Sequence, residues 1–62
     1  MPDFIIVYLK RRSHVSSSPW AGDLENTKKV ARDGLVRHGA DEFEIRSNTL
    51  DGALVYQELR KV

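Results

Sequence analysis

The run Phe4-Ile5-Ile6-Val7-Tyr8-Leu9 is apolar at six consecutive positions. β-Branched and aromatic residues at such density read as a β-strand. Alternate side chains of a strand point to opposite faces, so Phe4, Ile6 and Tyr8 share one face and Ile5, Val7 and Leu9 the other. Both faces are apolar, and such a strand calls for cover on both sides. That demand is hard to meet in 62 residues. A domain of this size buries only about 60% of the surface its unfolded chain exposes, and small scaffolds usually rely on a staple. Cysteine is absent, so neither a disulfide nor a Cys-ligated metal can serve. Oligomerisation is the staple that remains.

The rest of the chain reads as one small domain, residues 1–62, with the first strand at 4–9. Residues 10–22 read as a connector, because Ser16-Ser17-Ser18-Pro19 is turn chemistry and Pro19 biases Ser18 away from the helical region. Trp20 within it suits a plug over the edge of the core. A helix is expected over 23–38, with Asp23 as N-cap and Gly39 as the left-handed stop. Leu24, Thr27, Ala31 and Leu35 form its apolar stripe. Glu25/Lys29, Lys29/Asp33 and Asp33/Arg37 are opposite charges four residues apart, which suits a solvated face. Gly34 costs about 1 kcal/mol against Ala inside a helix, so close packing of helix on sheet is its expected reason.

Glu42-Phe43-Glu44-Ile45-Arg46 alternates cleanly and gives a second strand at 42–47. A third strand follows at 53–60. Asp51-Gly52 marks a hairpin between them. A three-residue loop, Leu50-Asp51-Gly52 with Gly52 left-handed, pairs Phe43 with Leu59 and Ser47 with Val55, leaving Leu54 and Tyr56 on the face of Glu44 and Arg46.

The expected fold is therefore α+β in β-α-β-β order. It is a three-stranded mixed sheet with one helix on one face, completed by dimerisation. A right-handed crossover makes the first strand parallel to the second and leaves it at an edge. An edge strand apolar on both faces invites a second copy. The dimer-interface candidates are Phe4, Ile5, Ile6, Val7, Tyr8, Leu9, Leu54 and Tyr56. A connector of thirteen residues is long enough, at about 3.3 Å per residue, to carry the first strand to its neighbour in a domain-swapped dimer.

Chemistry-bearing motifs are sparse. His14 and His38 have no carboxylate at ligand spacing, so no metal or cofactor is expected. The serines lack a nucleophile elbow, and the glycines lack phosphate-loop spacing. Lys10, Arg11, Arg12, Lys28, Lys29 and Arg32 could form a basic patch, with Tyr8 and Trp20 for stacking, which makes a nucleic-acid-binding module the alternative function. Residues 1–38 carry seven Lys/Arg against four Asp/Glu, and residues 39–62 three against five. Halves of opposite sign favour docking onto each other or onto a second copy.

Met1-Pro2, followed by a strand, a helix and a hairpin in about sixty residues, is similar in outline to the 4-oxalocrotonate tautomerase family. The resemblance implies Pro2 as an N-terminal base, with Arg11 or Arg12 and Arg46 holding an acidic substrate. It departs from the family at Asp3, in the length of the connector and in a shorter helix.

The apolar run is too short for a signal-peptide core, and Asp3 stands where basic residues belong. A membrane span needs roughly 20 apolar residues. The reading is a soluble, cytoplasmic, bacterial-type homodimer acting as a non-catalytic interaction or accessory protein, with itself or another protein as partner.

Overall fold

The computed structural model describes residues 3–60. Its elements are β1 (Phe4–Lys10), β2 (Ser13–Trp20), α1 (Leu24–His38), β3 (Glu42–Ser47) and β4 (Leu54–Leu59). The strands form one sheet in the order β2-β1-β3-β4, and every neighbouring pair is antiparallel.

The expected three-stranded mixed sheet is thus corrected to a four-stranded antiparallel one, still of the α+β class. The error lies in the connector. Most of it is β2, which folds back on β1 from Lys10↔Ser13 to Phe4↔Trp20. Two residues, Arg11 at φ 52° and Arg12 at φ 67°, make the turn. A two-residue loop with positive φ at both positions is the hairpin geometry that matches strand twist, and it normally draws Asn-Gly. Arg-Arg carries no such signal, and a non-glycine residue held at positive φ costs about 1–3 kcal/mol. Pro19 is tolerated because β2 is an edge strand.

This hairpin reverses the chain once more before the helix. The crossover therefore joins β2 to β3, which run parallel with β1 between them, and β1 is antiparallel to β3. β1 is an interior strand, not an edge. The edge argument for a swapped strand falls with it, because the segment expected to span two copies is paired within its own chain.

α1 covers one face. Asp23 caps it, its carboxylate accepting the Asn26 N–H at 2.8 Å. Gly39 closes it at φ 64°. Thr27, Ala31, Gly34 and Leu35 are buried against Ile6, Tyr8, Phe43 and Ile45. A Cβ on Gly34 would lie 1.9 Å from the Tyr8 hydroxyl, so glycine is there because the ring passes directly beneath the helix. Trp20 packs on the rim of this core, as a plug would.

The β3–β4 loop keeps Gly52 left-handed, at φ 56°, but it runs over residues 48–53. Its turn is closed by the Gly52 N–H donating to the Thr49 carbonyl at 3.1 Å. Phe43 pairs with Glu58 and Ile45 with Tyr56, one residue away from the expected register. Val55 is a bulge, since Arg46 pairs with Leu54 and Ile45 with Tyr56. The extra residue turns Tyr56 to the helix side, where its ring lies 5.9 Å from that of Phe43. Leu54 stays on the face of Glu44 and Arg46. The register that buries Tyr56 on Phe43 wins over one that leaves it exposed.

Candidate functional site

Strand pairing lays out the face that α1 does not cover. Directly opposite residues of paired strands share a face, so three rows cross the sheet from β2 to β4. The first is Pro19–Ile5–Arg46–Leu54, the second Ser17–Val7–Glu44–Gln57, the third His14–Leu9–Glu42–Leu59. The β1 column is wholly aliphatic and the β3 column wholly charged. Ile5, Val7 and Leu9 are only partly buried, and Leu54 and Leu59 are 48% and 65% exposed. Among the described residues no helix covers this face.

The charged column is held in place. Arg46 bridges Glu44 at 3.1 Å and donates to the Gly52 carbonyl at 2.9 Å. Glu42 is buried and accepts a hydrogen bond from the Gln57 amide. At the hairpin end, Leu9, Arg11, Arg12 and Asp41 join Glu42, Glu44, Gln57 and Leu59 around a depression of about 510 Å³. The Arg11 backbone N–H donates to the Asp41 carboxylate at 3.1 Å. Among the described residues neither Arg11 nor Arg12 has its guanidinium in an ion pair.

The interface candidates divide between the two faces. Ile5, Val7, Leu9 and Leu54 lie together on the open side. Ile6 and Tyr8 are buried in the core, and Phe4 and Tyr56 pack against it. Ile6, Tyr8, Phe4 and Tyr56 serve the helix side of the fold. Pro19, His14, Gln57 and Leu59 share the open face as well. Their membership follows from strand pairing, which the loop-like composition of β2 and the bulge in β4 conceal from the local sequence.

The basic candidates are also divided. Lys10, Arg11 and Arg12 stand at the tip of the β1–β2 hairpin. Lys28 and Arg32 lean towards β4 instead. The Lys28 ammonium lies 4.3 Å from the centre of the Tyr56 ring and 3.4 Å from Glu25. Arg32 makes a two-pronged bond to Glu58 at 2.9 and 3.0 Å, and Tyr56 donates to the same carboxylate at 2.7 Å. The Arg32 bond pulls the Glu58 carboxyl below its ordinary range, with the Tyr56 bond adding to it. Lys29 is exposed on α1. Three of the six cations thus stand at the hairpin end of β1 and three on α1.

A second cavity of about 230 Å³ lies on the helix side, between Trp20, Ser18, Val30 and Arg37, over Ile6 and Tyr8. The His38 ring lines it and lies 4.7 Å from that of Tyr8. Burial pushes the Tyr8 phenol above its usual range, with Arg37 opposing. His14 is on the opposite face of the sheet from His38. Among the described residues no group of three His, Cys, Asp or Glu could hold a metal ion. Of the residues the tautomerase resemblance implies, Pro2 lies outside the described residues. Arg11 and Arg12 stand at the end of β1 away from Phe4, and Arg46 is opposite Ile5.

No described helix is long and apolar enough to cross a membrane. Comparison of the chain with protein-family models, with curated proteins and with solved structures found no match to any of the three.

Proposed function

We propose that this chain is a non-catalytic interaction protein whose working unit is a homodimer joined through the open face of the sheet. One observation carries the reading. Ile5, Val7 and Leu9 line a central strand, yet among the described residues no helix covers them, although a sheet this small gains stability chiefly by covering its apolar faces. Exposed Leu54 and Leu59 widen the same surface. Contiguous apolar patches rimmed by polar groups mark interaction sites. The carboxylates of the face are engaged, Glu44 by Arg46 and Glu42 by Gln57, which suits a binding surface better than acid–base work. The proposal places the protein in the cytoplasm, where a cysteine-free chain gives up nothing to reducing conditions.

Light scattering coupled to size-exclusion chromatography tests the reading. A mass of two chains is expected at micromolar concentration. Val7→Asp and the more exposed Leu59→Asp should both lower it towards one chain, the second with the helical circular dichroism retained. A wild-type chain that stays monomeric to high micromolar concentration overturns the proposal.

A further inference from the structure

The open face is complementary to itself in one particular orientation. We infer that two copies pack their open faces together about a two-fold axis that runs through Val7 and Glu44, perpendicular to the strands. This deepens the proposed homodimer and rests on it.

Two orientations bring β1 onto the β1 of a second copy. With the axis along the strands, β2 falls over β3 of the partner and β4 hangs free, so Leu54 and Leu59 stay in water. With the axis across the strands, each column meets its own kind in reverse order. Ile5 then faces Leu9, Val7 faces Val7, and Leu54 faces Leu59. In the charged column Arg46 faces Glu42. All four strands overlap, and the two most exposed leucines of the face cover each other.

Charge supports the same choice. The β3 column reads Glu42, Glu44, Arg46, and reversal places the cation of one copy against an acid of the other at both ends. Only Glu44 meets its like, at the axis, and there each carboxylate already has its own Arg46 at 3.1 Å. Opposed charges of unlike sign fix register, while like charges work against it. The area is sufficient as well. Four strands about 4.8 Å apart and six residues long at about 3.3 Å each present a face of about 400 Å². Two such faces with their side chains bury on the order of 1,000 Å² in all, where specific interfaces begin. Sheets packed in this way lie about 10 Å apart with strands within about 30° of each other.

The absence of cysteine makes the test clean. Val7→Cys, Leu54→Cys and Leu59→Cys are made singly and treated with a short bis-maleimide. Val7→Cys should link to itself, because the residue lies on the axis. Leu54→Cys and Leu59→Cys should each link poorly alone and well when mixed. Arg46→Glu should raise the dimer dissociation constant at least about tenfold, and Glu44→Gln should lower it. A dimer in which Val7→Cys never links overturns face-to-face packing. A dimer in which Val7→Cys links but the mixture of Leu54→Cys and Leu59→Cys gives no more product than either alone overturns the axis. Both results leave the homodimer standing. Absence of any dimer by light scattering overturns the underlying reading instead.

Discussion

β1 turns Ile6 and Tyr8 to one face of the sheet and Ile5, Val7 and Leu9 to the other, and the two sets meet opposite fates. On the helix side Ile6 and Tyr8 are 1% and 3% exposed, locked between Phe43, Ile45 and the small residues of α1. On the other side Ile5, Val7 and Leu9 differ little in chemistry but remain partly exposed. The difference is not made by β1. It comes from α1, whose stripe of Thr27, Ala31, Gly34 and Leu35 lets one helix sit close on one face, with no second helix among the described residues. Burial is a property of what lies opposite, and the described residues supply one helical cover for the two apolar faces of β1.

That contrast can be broken most strongly at its centre. Ile6→Ala removes a side chain from the closed core and should cost about 2–5 kcal/mol, whereas Val7→Ala in dilute monomer should cost less than about 1.5 kcal/mol. Urea unfolding at low protein concentration measures both. Equal losses would mean the open face is as tightly packed as the covered one. Gly34→Ala comes next. The added methyl would lie 1.9 Å from the Tyr8 hydroxyl, so overpacking of about 1–3 kcal/mol should outweigh the gain of about 1 kcal/mol in helix propensity. Tyr8→Phe in that background should recover part of the loss, because the nearest clashing atom is removed.

A smaller effect is expected at the start of the covering helix. Asp23→Ala deletes the carboxylate that accepts the Asn26 N–H and should cost about 0.5–2 kcal/mol, read as a lower urea midpoint with an unchanged slope. The smallest concerns the rim where α1 meets β4. Arg32 holds the Glu58 carboxyl below its ordinary value, so the unfolded chain binds this proton more readily than the folded one. The contribution is present above the unfolded carboxyl range, near pH 4, and is lost as pH falls through the lower folded value. Exposure of the pair keeps it modest. Arg32→Ala should flatten the acid side of the stability profile, with little change in its shape near pH 7.

Local signals translated well where a single residue decides the matter. Asp23 and Gly39 bound the helix as a polar N-cap and a left-handed stop require. Gly52 takes positive φ, and Gly34 answers to a close approach. The structure departs from local signals where a local preference is outvoted. Ser16-Ser17-Ser18-Pro19 has the composition of a loop, yet it pairs with β1 because that strand's backbone N–H and C=O groups need partners, and an edge position forgives proline. Tyr56 could be assigned to a face only by knowing that Val55 is a bulge, which no local preference announces. The open face is the least legible part, since two of its four columns, β2 and β4, depend on that pairing and that bulge.

The residues alone announce β1, its apolar character on both sides, the start and stop of the helix, and the lack of a disulfide staple. These follow from periodicity, capping and composition, which act over a few residues. Pairing across the sheet is what makes β1 central, turns the chain tightly at Arg11 and Arg12 with positive φ, and sets Ile5, Val7 and Leu9 beside the wholly charged column of Arg46, Glu44 and Glu42. The reason is that strand pairing joins residues far apart in the chain through backbone groups every residue carries. Its register is chosen by the summed burial of both partners, and a bulge of one residue is enough to reassign a face.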